Sequence, residues 1–373
     1  SLAGPAWPAQ PGRPSLAGPA WPAAVRWLVE CHQLLVGRSP GGGVAVVRVW
    51  RNRAMRQRLL VAAVLGAALT ISTLPGAALA SSPGPARAPF TFALLGDTPY
   101  GDPQREDFPG LVAAIDADPA VRLVLHAGDV KNGSSTCDDA RFADLRALFD
   151  TFDDPFVLTP GDNEWTDCHR TIAGGYLPTE RLAAVRRAFF PHAGRTIGGV
   201  AMPVRSQALD PRHRAYRENV RFSAHGIVFA TVHVVGSDND LQPWAQLPGG
   251  DLPAVRLAEF DARRAAALAW IDATFAAARR TMAPGVLLMM QAEPTATPGF
   301  VEIRERIAAL ASAYRRPVLL VHGDEHVHEV EPGYAGVANL TRLETFGDTT
   351  TSWLRVTADP ASPGVFTWQP RQH

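Results

Sequence analysis

Four Gly-Asp pairs, Gly96-Asp97, Gly128-Asp129, Gly161-Asp162 and Gly323-Asp324, each close an apolar run, and the last continues into Glu325-His326. A carboxylate just past the end of a buried strand, repeated along one chain, is how an α/β sheet gathers acidic side chains at one edge. Four such groups brought together without a cation repel and raise one another's pKa, so the pattern calls for something positive among them. One or two divalent ions would meet that need and also supply the Lewis acid and activated water that phosphate-ester hydrolysis requires. In this reading Asp129 is central and bridges two ions, with Asp97 on one side and Asp162 on the other. Gln291, Asp324 and His326 complete the metal shell. A single Gly-Asp is as readily a turn or a helix cap, and it is four in register with strand ends that carry the signal.

The elements that must position these groups follow from the apolar periodicity. Phe90–Leu95, Val121–Leu125 and Pro155–Thr159 read as strands, with helices predicted over Pro109–Asp116 and Asp138–Phe152, a β-α-β-α-β run with polar residues at each strand end. A helix near Glu180–Phe190 and a hairpin turned at His225-Gly226 follow. Then come an Ala-rich helix over Glu259–Arg280, a strand delivering Gln291, a helix over Phe300–Tyr314 and a strand running into His322. Val327–Val330, Leu340–Glu344, Trp353–Thr357 and Val365–Gln369 alternate like antiparallel strands. With no interior linker, one domain spans about 88–373.

The order of these motifs resembles the calcineurin-like metallophosphoesterases, whose pattern runs D-x-H, G-D, G-N-H-D/E, a lone His, then G-H-x-H. Corresponding places hold Asp97-Thr98-Pro99, Gly128-Asp129, Gly161-Asp162-Asn163-Glu164, Gln291 and Gly323-Asp324-Glu325-His326. The resemblance covers nearly the whole chain after the first eighty residues. It implies an α/β fold, a metallophosphoesterase-like β-sandwich flanked by helices in four αββα layers, with a dinuclear metal centre at the strand ends. Departures matter: Pro99 stands where the first His ligand would be, Asn163 where the leaving group's proton donor would be, and Gln291 and Asp324 replace two further histidines. These exchanges trade nitrogen for oxygen, so one or two Mn, Mg or Ca ions are favoured over Zn.

Asn163 and His169 are the candidate catalytic groups around the leaving oxygen. Arg170, suited to bidentate phosphate recognition, and His322 are the candidate substrate contacts, although His322 at a strand end is equally a supporting residue. Trp165 either walls the pocket or caps the core. His126 and His233 read as structural and His328 as solvated. The expected function is an exported metal-dependent phosphoesterase acting on a small-molecule phosphate mono- or diester through metal-activated water. The alternative is a binding module that keeps the fold without the chemistry.

Upstream, Ser1–Ala9 recurs at Ser15–Ala23, a Pro/Gly/Ala-rich duplication with no face to bury, read as a disordered leader within 1–54. From Met55, Arg56 and Arg58, the apolar Leu59–Leu74 and Ala78-Leu79-Ala80 have the three parts of a signal peptide over 55–80, implying a secreted or periplasmic protein with no membrane span after cleavage. Residues 1–80 hold eight arginines and one acid, Glu30. Of the chain's 36 basic and 36 acidic residues, 28 and 35 then remain. That acidic balance argues against binding a nucleic-acid backbone. Cys137 and Cys168, an even pair, form a disulfide if their loops meet at the sheet edge; two buried thiols are the alternative.

Overall fold

Alternate residues along each central strand face opposite layers, and that period of two builds the molecule. The computed structural model describes residues 88–348 and 350–373; the leader and signal-peptide readings fall outside them. The first half runs β1 (Phe90–Leu95), α1 (Asp102–Asp116), β2 (Val121–His126), α2 (Asp139–Phe149), β3 (Pro155–Leu158), α3 (Pro178–Phe189), β4 (Ile197–Gly198) and β5 (Arg205–Ser206). It continues through β6 (Val220–Ala224), β7 (Ile227–Thr231), α4 (Pro253–Arg280), β8 (Val286–Met289), α5 (Val301–Tyr314) and β9 (Val318–His322). Four strands finish it: β10 (Val330–Pro332), β11 (Leu340–Glu344), β12 (Trp353–Ala358) and β13 (Phe366–Arg371).

Two mixed sheets result, a six-stranded one in the order β13-β12-β1-β2-β3-β4 and a seven-stranded one in the order β10-β11-β9-β8-β7-β6-β5. Phe92, Leu94, Leu123 and Leu125 from the first sheet meet Phe229, Leu287, Met289 and Leu319 from the second in a shared interior. The intervening residues Ala93, Leu95 and Val124 turn outward onto Phe108, Phe142, Phe149 and Val185 of α1, α2 and α3. On the far side Val228, Val286, Leu288 and Leu320 pack on Trp270, Ile271 and Phe275 of α4 and Ile303 and Ile307 of α5. The layers are therefore helix, sheet, sheet, helix, the four-layer αββα sandwich expected from the sequence. Strands buried on both faces read as continuous apolar runs, as parallel sheets require.

Two expectations need correction. The first helix begins at Asp102 rather than Pro109: Pro103 starts it, and Pro109 rides on its exposed side. Proline there removes one backbone bond without interrupting the buried face of Phe108, Leu111, Val112 and Ile115. Leu340–Glu344 pairs parallel to β9, not antiparallel, because the intervening β10 takes the antiparallel place on its other edge.

Candidate metal centre

The parallel strands β1, β2, β3, β8 and β9 deliver their following residues to one edge of the sandwich. There, ligand atoms of Asp97, Asp129 and His326 lie within 4.8 Å of one another, and so do those of Asp129, Asp162 and Asp324. Asp129 belongs to both groups. The backbone is shaped for this convergence: Asp97, Asp129, Asp324 and His326 all have positive φ, at 52°, 56°, 84° and 65°. Asp and His tolerate that region better than most residues, and such strain gathers at functional sites. Glycine is required where the carboxylates press on the chain. A Cβ on Gly161 would stand 1.9 Å from Asp129 Oδ1, and one on Gly236 would stand 2.5 Å from Asp324 Oδ1 and 2.6 Å from Asp162 Oδ2.

The electrostatics fit a cation. Asp97, Asp129 and Asp162 are held well above the ordinary carboxylate range, first by burial and then by one another and by Glu164, Asp167 and Asp324. Burial, with Glu325 and Asp167 adding to it, raises Asp324 to about 6. His326 Nε2 is buried with no hydrogen-bond partner among the described residues, 3.6 Å from Asp97 Oδ1. Four crowded acids and an orphaned imidazole nitrogen form a donor set that a divalent ion would satisfy, and its oxygens outnumber its nitrogen.

Around this centre the backbone amide of Asp324 donates to Asp97 Oδ1 at 3.2 Å, and the Asn163 amide donates to Asp129 from both its backbone N (3.2 Å) and its Nδ2 (2.7 Å). Asn163 is thus fastened to the shared carboxylate, and its Nδ2 also lies 3.0 Å from Tyr100 Oη. Cys137 and Cys168 are disulfide-bonded beneath it, each sulfur against the Asn163 carbonyl oxygen. Arg170 pairs with Asp167 at 2.6 Å. Its guanidinium and Asn163 Oδ1 both close over Gly133, where an added Cβ would meet them at 2.7 and 2.8 Å. His169 is half-buried on a short 3₁₀ turn, its Nδ1 2.8 Å from the Thr166 carbonyl oxygen, and among the described residues it makes no hydrogen bond or ion pair with the acidic groups.

Two of the expected site residues are engaged by neighbouring protein groups. Gln291, expected as a ligand, accepts from the Gly236 amide at 2.7 Å through Oε1 and gives its Nε2 to Asp324 Oδ1 at 2.6 Å. A flipped amide would set oxygen against carboxylate and N–H against N–H, so the amide nitrogen of Gln291 faces Asp324 and its oxygen faces the Gly236 amide. His322, for which substrate contact and a supporting role at the strand end stood equal, is fully buried, with Nδ1 on the Gly323 carbonyl oxygen and Nε2 beside Arg342. His328 is half-buried against Phe346 rather than solvated, while His126, His233 and Trp165 are fully buried.

Sequence reasoning gave no role to Tyr100, Ser237, Asp167 or Lys131. Tyr100 packs edge-on against His326, and burial holds its phenol protonated across the working pH range. Ser237 Oγ lies 3.0 Å from both Asp162 Oδ2 and Asp167 Oδ1. It opens a left-handed turn in which Ser237, Asp238, Asn239 and Asp240 all have φ between 52° and 65°. Such a turn costs about 1–2 kcal/mol per residue. Buried Arg263, bonded to the Asn239 side chain and carbonyl, and Trp244 Nε1, bonded to Asp240, hold it in place. Lys131, whose ammonium burial lowers to about 8, sits near Glu164 and Asp129 and donates to the carbonyl oxygens of Asn132 and Ser135. Lys131 was legible only as the chain's single lysine, and nothing in the local sequence marks the left-handed turn.

No family model matches the sequence, and no curated protein matches it. Among solved structures, one similar chain is GAP50, the anchor in the inner membrane complex of Plasmodium, at 10% identity over 76% of this chain and 89% of that one, with a TM-score of 0.43. Another is the calcineurin-like phosphoesterase YfkN from Bacillus subtilis, at 11% identity over 76% of this chain and 91% of that one, with a TM-score of 0.37.

Proposed function

We propose that this protein is a metal-dependent phosphoesterase that hydrolyses a small-molecule phosphate mono- or diester in an oxidising compartment. The observation that carries this reading is the pair of acidic groups sharing Asp129. Asp97, Asp129 and His326 would hold one divalent ion, and Asp129, Asp162 and Asp324 a second. Bound there, Mn, Mg or Ca supplies charge stabilisation at the phosphoryl oxygens and an acidified water. The chain's own residues then orient and donate. Asn163 fixes the shared carboxylate and presents its Oδ1 beside Arg170, whose free guanidinium edge can take a phosphoryl oxygen. Tyr100 Oη accepts from Asn163 and keeps its own proton, so it is a neutral donor toward the leaving oxygen. His169, partly exposed on the same loop, is the candidate for returning a proton to the leaving oxygen. The Cys137–Cys168 disulfide supports an exported protein.

A second reading, cation binding without turnover, is favoured by Pro99 and by Asn163, whose amide has no titratable proton to give. Purified protein with Mn should hydrolyse p-nitrophenyl phosphate or its bis-ester and lose that activity in Asp129→Asn. Saturable Mn binding without hydrolysis of either ester would select the binding module instead.

A further inference from the structure

The short ladder between β5 and β6 sets two arginines directly opposite each other, Arg205 against Arg221. Like charges facing across a sheet are destabilising unless something negative lies between them. Arg221 Nη1 is buried and has no hydrogen-bond partner among the described residues. The Arg221 guanidinium carbon lies 4.8 Å from the centre of the Trp270 ring, a cation–π contact that holds the side chain against α4. Burial and the nearby Arg205 and Arg280 lower Arg221 to about 10, which leaves it cationic at neutral pH. Both arginines line a cavity of about 140 Å³ together with Ser206, Arg212, His213 and Trp270. The carboxylate at its rim, Asp210, is already engaged by Arg212 at 2.7 Å. The cavity shares no lining residue with the acidic centre.

We propose that this cavity is a binding site for a small oxyanion held between Arg205 and Arg221. A planar guanidinium with an open N–H edge takes two oxygens of one anion, and a second arginine opposite completes the charge. A cavity of about 140 Å³ is large enough for one phosphate, sulfate or carboxylate group.

The test is isothermal titration of the full chain with sodium phosphate, sulfate and acetate, each at matched ionic strength in chloride buffer without divalent ions. Without those ions the acidic centre repels anions and does not contribute. One anion should bind per chain, and the three arms rank tetrahedral against planar oxyanions. Arg221→Gln should weaken binding by about tenfold or more, the loss of one charge-assisted bond. Arg264→Gln, on α4 but outside the residues that line the cavity, should leave it unchanged. Thermal melting in chloride checks folding: Arg221→Gln should melt at or above the wild-type temperature, since a like-charge pair is relieved. Should that variant fail to fold, Arg205→Gln answers the same question. Equal binding by wild type and both variants, or no saturable uptake of any of the three anions, would overturn the proposal.

Discussion

Replacing Asp324 by asparagine should stabilise the cation-free protein while weakening its response to divalent ions. Asp324 titrates at about 6 in the folded chain against an ordinary value of 3.8. A gap of about two units disfavours the ionised form by about 3 kcal/mol. Because the folded value is raised, the associated stability is fully present below pH 3.8 and is lost as pH rises to about 6. Asparagine carries no charge and so recovers that loss above pH 6 and nothing near pH 4. It also keeps the oxygen that accepts from Gln291 and tolerates the φ of 84°. For a domain of this size the gain corresponds to a rise in Tm of about 6 °C. Melting curves of both proteins from pH 4 to 7, in chelator and in millimolar Mn, measure it. The variant should melt higher at pH 7 in chelator, converge with wild type at pH 4, and gain less from Mn. A variant less stable than wild type in chelator at pH 7 would refute the reasoning, since the four carboxylates would then not be repelling one another.

Gly236→Ala should weaken Mn affinity and also lower stability in chelator, because the added Cβ would stand 2.5 Å from Asp324 Oδ1 and 2.6 Å from Asp162 Oδ2; calorimetric titration and melting curves check this. Reducing the Cys137–Cys168 bond, or Cys168→Ser, should cost about 3–4 kcal/mol for a closed loop spanning a sequence separation of 31, read from urea midpoints. Burial pushes Glu218 up, but Arg186 and His233 more than reverse it and bring it to about 2. Its contribution is therefore present above the ordinary 4.5 and lost as pH falls toward 2. Urea midpoints from pH 6 to 3 should fall in wild type. Glu218→Gln, which leaves Arg186 uncompensated, should lose about 3–5 kcal/mol at pH 7.

Much of the sandwich was legible because buried strands and amphipathic helices carry their period in the sequence. Phe90–Leu95 and Leu340–Glu344 begin and end where the apolar runs do, and Asp97, Asp129, Asp162 and Asp324 were visible as strand-end carboxylates. What escaped depends on contacts between distant segments. The parallel pairing of β11 with β9 is set by β10 taking the other edge, which no local pattern encodes. Gln291 looked like a ligand because its place in the order was right; only the Gly236 amide, 55 residues away, shows which way its side chain points. His322 had the right neighbours in sequence but faces Arg342, and Ser237 gained its role from a left-handed turn that non-glycine residues rarely form.

Metal content per chain tests the central claim most directly. After equilibration with Mn and removal of free ion, elemental analysis should find two ions per wild-type chain. Asp129→Asn, which alters the one residue common to both groups, should retain neither. Wild type that takes up no Mn, or Asp129→Asn that retains as much as wild type, would contradict the account.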